Sequence, residues 1–271
     1  MVVNPNAQEP NHLTVRLSAG FNAEVMLAGL LALTDQTTGT ATAALRALFP
    51  TLEEAMGGTL SVTLTPCAIS EIHGWRATVA FEAHHDHEHD HEGEHVHGHT
   101  HEHTSLADIF NFYDQYAKLT DAALDRVEKI WLTLAKAESS VHGADVSTVH
   151  FHEVGRLSNR LAIALIATFM DRLGLTLSAS PIPVGDGVIR CAHGFVANPA
   201  PATMAMLPGL PVTPFKGDGE PITPTGLAIL IGLGASFGPW PEMQVARQVV
   251  AYARQYFPGV PNGARFILGT K

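Results

Sequence analysis

Between positions 83 and 104 the chain places ten of its sixteen histidines, mostly at alternate positions, separated by Asp, Glu, Gly or Val and without a single Lys or Arg. A stretch of that composition has almost nothing apolar to bury, so it is expected to stay solvated and unfolded while the flanking sequence supplies the core. It divides the chain into a small α/β unit at 1–82, a His-rich linker at 83–105 and a larger helical, Pro- and Gly-rich part at 106–271 that carries the candidate site. The 271 residues, 46% of them hydrophobic, are enough for two modest structured units around the tract.

The tract reads as metal handling. Neutral imidazole suits nickel, zinc, cobalt and copper, and a nitrogen-rich site ranks nickel above cobalt and iron, so nickel or zinc leads with copper behind. The candidate ligands are His84, His85, His87, His89, His91, His95, His97, His99, His101 and His103. Interleaved carboxylates at Asp86, Glu88, Asp90, Glu92, Glu94 and Glu102 lower the local potential and raise both cation affinity and imidazole basicity. The plain alternative is a passive polar spacer. As a metal-binding tract it buffers or delivers the ion; it does not look catalytic.

Composition excludes several classes. The net charge of −10 comes from 26 acids against 16 Lys plus Arg, with six of those acids in the tract, so nothing suggests a nucleic-acid partner. Two isolated cysteines, Cys67 and Cys191, make no disulfide framework and no CxxC pair, which fits a reducing cytoplasm. The first residues lack a basic patch followed by an apolar run, so no signal peptide is visible. The apolar stretches 161–170 and 227–233 fall short of a bilayer span, and no membrane is expected as a partner.

Apolar spacing over 20–34 predicts a helix with Asn22 as its cap, and 41–48 a second one. TLSVTLTPC and WRATVAFEA alternate as two half-buried strands. Beyond the tract, 106–141 reads as one long helix or a helical hairpin, and 161–173 as an apolar helix with Gly174 as its C-cap. From 181 onward the chain reads as loop-dominated around helices at 200–207 and 225–233. Helices and short strands alternate without a regular βαβ rhythm, so the expected class is α+β.

Three constellations could carry chemistry. In TVHFHEVG, His150 and His152 lie two apart, so an extended segment puts both imidazoles on one side with Glu153 beside them. Two imidazoles and a carboxylate make a common shell for a divalent metal that keeps an open position; the alternative is one hydrogen-bonded core histidine. Cys191 and His193 repeat the spacing and join a soft to a borderline ligand, although a structural cysteine beside a turn histidine is as ordinary. ANPAPATMAML and PITPTGLAIL each set Pro and Thr before an apolar helical run, exposing backbone N–H groups that attract phosphate; N-capping by Thr203, Thr223 or Thr225 is the plain alternative. No GxxxxGK[ST] loop and no GxGxxG after a strand is present, and GASFG at 234–238 is not read as a nucleophile elbow, which leaves the metal-centred enzyme classes.

Taken in order, GFNAEVMLAGLL (20–31), the internal His tract, AESSVHGADVSTVHFHEVG (137–155), ASPIPVGDGVIRCAHGFVANPAPATMAML (179–207), ITPTGLAIL (222–230) and PNGARFILG (261–269) resemble one family over nearly the whole chain. It is the family of nickel-insertion proteins of the lactate racemase system, which place nickel in a pyridinium bisthiocarboxylate mononucleotide, the nickel-pincer cofactor. The resemblance implies a CTP-dependent cyclometallase of the lyase class, using a divalent cation with CTP, that forms metal–carbon and metal–sulfur bonds on the mononucleotide precursor. On this implication the tract recruits nickel, His150, His152 and Glu153 handle metal or substrate, and Thr203, Thr223, Thr225 and Gly226 hold phosphate.

Departures qualify what the resemblance implies. Glu24 stands where the family has Asp, one methylene longer but still a carboxylate, and is a candidate catalytic residue; Ser158 and Ala162 stand where it usually has two more aspartates. A late glycine-rich family segment appears here as residues 249–253, with Tyr256 at the position of an acid. Longer family members continue into a C-terminal domain, which a separate subunit would supply here. The alternative function is a non-catalytic nickel or zinc metallochaperone or store, a diverged paralogue; a metal-dependent hydrolase ranks last.

Overall fold

The computed structural model describes residues 9–84, 104–151, 154–191 and 194–271. Before the His-rich residues come β1 (His12–Ala19), α1 (Ala23–Leu33), α2 (Thr38–Leu48), α3 (Leu52–Met56), β2 (Gly58–Ile69) and β3 (Ile72–Ala83). After them follow β4 (Thr104–Ser105), α4 (Leu106–Tyr116), α5 (Asp121–His142), β5 (His150–Phe151), α6 (Leu157–Leu173), β6 (Thr176–Ala179) and β7 (Ile182–Val184). The chain closes with β8 (Val188–Cys191), β9 (Gly194–Ala197), α7 (Pro201–Met206), β10 (Val212–Pro214), α8 (Pro224–Gly232), β11 (Ser236–Phe237), β12 (Gln244–Ala251) and β13 (Gly263–Thr270).

The architecture is mixed α/β, built on one seven-stranded sheet of order β11-β6-β1-β13-β12-β3-β2. β2/β3, β12/β13 and β13/β1 pair antiparallel, whereas β1/β6, β6/β11 and β12/β3 pair parallel. Strands from both sides of the His-rich residues alternate in this sheet, with β1 held between β13 and β6. The tract therefore interrupts the chain without interrupting the sheet.

Helix α1 packs on β13, β12 and β3; α6 packs on α1 and β3; α5 covers α6, α7 and α8. Caught between the sheet and other helices, α1 is buried at every residue but Glu24, as is nearly all of α8, so the apolar stripe expected at 20–34 extends round the helix. Gly29 makes the close approach possible, because a Cβ there would collide with the ring of Phe266 on β13. Asn22 caps α1 as expected, its Oδ1 accepting from the amide of Val25 at 2.9 Å.

The segment 106–141 is two helices, not one. Thr120 caps α5 and Ser105 forms a capping box with Asp108 on α4, so each helix has its own start signal. The indole of Trp131 donates to the hydroxyl of Tyr113, which donates to the carbonyl of Arg160, tying α5, α4 and α6 together. Gly174 ends α6 in the left-handed conformation, as expected.

The loop-rich reading of the region after 181 needs correction. β12 and β13 are eight residues each and hold the middle of the sheet. β13 is buried over most of both faces and flanked by Gly263 and Gly269, so it lacks the alternation that marks a half-buried strand. β1, at the centre, does alternate at Leu13, Val15, Leu17 and Ala19, a strand signal that the sequence reading missed. No helix among the described residues is long and apolar enough to cross a membrane.

Candidate functional site

The starts of α1, α6 and α8 converge on one cleft of about 840 Å³. Asn22, Ala23 and Glu24 come from the first turn of α1, Arg156, Ser158 and Asn159 from that of α6, and Thr223, Pro224 and Thr225 from that of α8. The strand β8 adds Val188 to Cys191, the 219–220 loop adds Gly219 and Glu220, and the segment after β12 adds Arg254 and Gln255. Each helix start carries the positive end of its dipole, and three guanidinium groups, Arg156, Arg190 and Arg254, share the same walls. A cleft of this kind selects an anion such as a phosphate or a carboxylate.

Local sequence explains the convergence. Pro224 occupies the first turn of α8, where its missing N–H costs nothing, and Thr223 caps the helix by accepting from the amide of Gly226 at 3.1 Å. A Cβ on Gly226 would lie 2.7 Å from the carbonyl oxygen of Phe21 and 3.1 Å from Cα of Asn22, so glycine is what lets α8 start against the start of α1. The carbonyl of Phe21 accepts from the amide of Thr223 at 3.0 Å, which locks the two starts side by side.

Two carboxylates line the cleft among the described residues, and their surroundings differ. Burial raises the carboxyl of Glu24, and the nearby cation Arg254, whose Nε is 3.9 Å from Oε2, pulls it back. Glu220 is pushed up to about 7 by burial, and the donors that oppose this are neutral: the amide of Ala200 and the hydroxyl of Thr203, at 3.3 Å.

The sequence candidates distribute as follows. Glu24, Thr223, Thr225 and Cys191 line the cleft. Thr203 is fully buried with its hydroxyl on Glu220, and the amide of Gly226 is taken by Thr223, so in these two places the capping or packing role is the one observed. His150 is exposed on the short bridge β4/β5, opposite Ser105, while its neighbour Phe151 is buried against Trp131 with ring centroids 5.4 Å apart. His84 directly follows β3, with its Nε2 2.8 Å from the hydroxyl of Thr59. His85, His87, His89, His91, His95, His97, His99, His101 and His103, with His152, Glu153 and His193, lie outside the described residues. Among the described residues no group of three or more His, Cys, Asp or Glu is placed to hold a metal ion.

Ser158 and Ala162, where the resemblance leads one to expect aspartates, both line the cleft. Sequence reasoning missed Glu220, Arg156, Arg190 and Arg254. A carboxylate two residues after Gly-Asp, or an arginine in a strand, has no periodic signature; tertiary convergence is what assembles them. The chain re-enters from the His-rich residues at the cleft's edge: Arg160 of α6 donates to the Thr104 hydroxyl at 2.9 Å and to the carbonyl of Gly155 at 2.9 Å, just before the α6 start.

A family model described as nickel insertion protein matches residues 13–271. Relatives named "putative nickel insertion protein" include one from Geotalea uraniireducens, 39% identical over 158 residues, covering 58% of this chain and 40% of the relative. One from Geotalea daltonii is 40% identical over 164 residues (60% and 42%), and one from Pelobacter propionicus is 42% identical over 154 residues (56% and 39%). The chain thus spans about 40% of the length of the curated relatives it matches. No solved structure matches it. With the model matching from the first sheet strand to the last residue, the chain belongs to the nickel insertion protein family.

Proposed function

We propose that this chain binds nickel and inserts it into a pyridinium bisthiocarboxylate mononucleotide, in a CTP-dependent reaction completed by a C-terminal part on the same or a separate polypeptide. The observation that carries the reading is the convergence of three helix starts and three arginines on one cleft that also holds Glu24, Glu220 and Cys191. A mononucleotide or CTP presents phosphate to such helix starts and guanidinium groups. The thiol of Cys191 and the carboxylate of Glu24 are donors of the kind a nickel ion in transit would meet.

The His-rich residues act as the collector of the substrate metal. Their return at Thr104 is hydrogen-bonded to α6, the helix whose first turn lines the cleft, so metal released there has a short path to the mononucleotide. His150, His152 and Glu153 belong to this hand-over, and His150 pairs with Ser105 on that return. The second reading, a store or metallochaperone without catalysis, is favoured by the cleft positions Ser158 and Ala162, which offer no carboxylates.

One experiment separates the two. A variant lacking residues 84–103 and the undeleted chain are titrated with nickel and assayed, together with the C-terminal part of a longer relative, with the nickel-free mononucleotide, Ni²⁺, CTP and Mg²⁺, the product being read by its mass. The insertion reading expects full-length protein to form product, and the deletion to lose most bound nickel yet still form product at saturating nickel. Absence of product from both proteins, with loss of all nickel on deletion, would leave the store.

A further inference from the structure

Glu220 is not among the residues that the motifs point to, yet it is one of two carboxylates lining the cleft among the described residues, and its setting is unlike that of Glu24. Glu24 faces a guanidinium; Glu220 is held by neutral donors, the amide of Ala200 and the hydroxyl of buried Thr203. The loop that presents it is itself fixed. Asn198, 7% exposed, donates from Nδ2 to the carbonyl of Gly219 at 2.9 Å, immediately before Glu220. The group is thus positioned from two sides, at the start of α7 and through its own loop, and its carboxyl titrates at about 7, where a base is best matched to neutral solution.

Burial raises both carboxyls, but a cation opposes it only at Glu24, and two carboxylates with such different neighbours in one cleft suit different tasks. Glu24 is the carboxylate with a guanidinium beside it, Arg254 at 3.9 Å. Glu220 is suited to exchange a proton. Building on the insertion reading above, we propose that Glu220 is the base that takes the proton from the ring carbon of the mononucleotide as that carbon bonds to nickel. The carbon–hydrogen bond breaks heterolytically, its electron pair becomes the metal–carbon bond, and the proton passes to the Glu220 carboxylate. Nickel stays divalent and no oxidant or reductant is consumed. Thr203 then acts as a positioning residue, since its hydroxyl reaches the carboxylate and not the ring.

The test compares wild type, Glu220→Gln and Glu24→Gln. Nickel insertion into the precursor is followed across pH with CTP and the C-terminal part of a longer relative present, and precursor binding is titrated separately without nickel. Glu220→Gln is expected to bind the precursor within about 3-fold of wild type and to insert nickel at least about 100-fold more slowly, the range that loss of a general base produces. The wild-type rate is expected to rise as pH passes 7, because the base works deprotonated, and that limb is expected to vanish in Glu220→Gln. The other ionisable groups lining the cleft are Glu24, Cys191, Arg156, Arg190 and Arg254; the Glu24→Gln profile shows whether the limb belongs to Glu24 instead, which would overturn the assignment. A Glu220→Gln protein as fast as an active wild type would overturn it too, and leave the insertion reading standing. A wild type that binds the precursor and never forms the nickel–carbon bond would overturn both.

Discussion

One wall of the cleft is made by the starts of α1 and α8, helices packed into the core on nearly every side, and another by the hairpin β8/β9, where Phe195 is 78% exposed and Val188 68%. The first places Glu24 and Thr223 by burying everything behind them, so their positions are as fixed as the core. The second pairs within itself and belongs to no larger sheet among the described residues, and it brings Arg190 and Cys191 to the cleft on two short strands. Substitution behind the helical wall should cost stability first and binding as a consequence. Substitution on the hairpin should leave stability alone and act on whatever enters the cleft.

The sharpest way to break this contrast is Leu30→Ala, which empties a fully buried position on α1. It is expected to destabilise by about 2 to 5 kcal/mol in urea unfolding; a change below 0.5 kcal/mol would mean that the helical wall is not set by packing. Next comes Gly226→Ala. Its new Cβ meets backbone atoms of Phe21 and Asn22, which cannot swing aside, so a loss of about 1 to 3 kcal/mol is expected together with weaker nucleotide binding by calorimetry.

A third effect depends on pH. The Glu220 carboxyl is raised in the folded state to about 7 from an ordinary 4.5, so the folded protein holds a proton that the unfolded chain releases. That contribution is complete below 4.5 and is lost as pH rises through 7. Unfolding curves at several pH values should therefore show Glu220→Gln gaining on wild type between these limits and keeping a constant advantage above them. The smallest effect is expected on the hairpin: Phe195→Ser should shift stability by no more than about 0.5 kcal/mol by the same measurement.

The sequence reading reached the parts of the fold whose signals are local. Asn22 and Gly174 were legible as caps because capping is a short-range hydrogen-bonding problem, and β2 and β3 because one face of each is exposed. It did not reach β13, whose burial over most of both faces removes the alternation, and it left 106–141 open between one helix and a hairpin, a choice that the cap Thr120 settles inside a continuous apolar pattern. In the site, Glu24, Thr223, Thr225 and Cys191 were picked out and the structure brings them together. Glu220 and the three arginines were not, since a lone acid or base acquires meaning from what faces it.

By itself the amino-acid order determined the His-rich tract, the caps, and the Pro-Thr-Gly spacing that starts α8, because ligand type, φ restriction and missing amide groups are properties of single residues and their immediate neighbours. Tertiary structure alone decided that three helix starts share one cleft and that the return from the tract lies at its edge. It also decided that Thr203 serves Glu220 and that β1 slots between strands more than 150 residues distant. Those outcomes depend on how buried surfaces close over one another across the whole chain, and no local pattern carries that information.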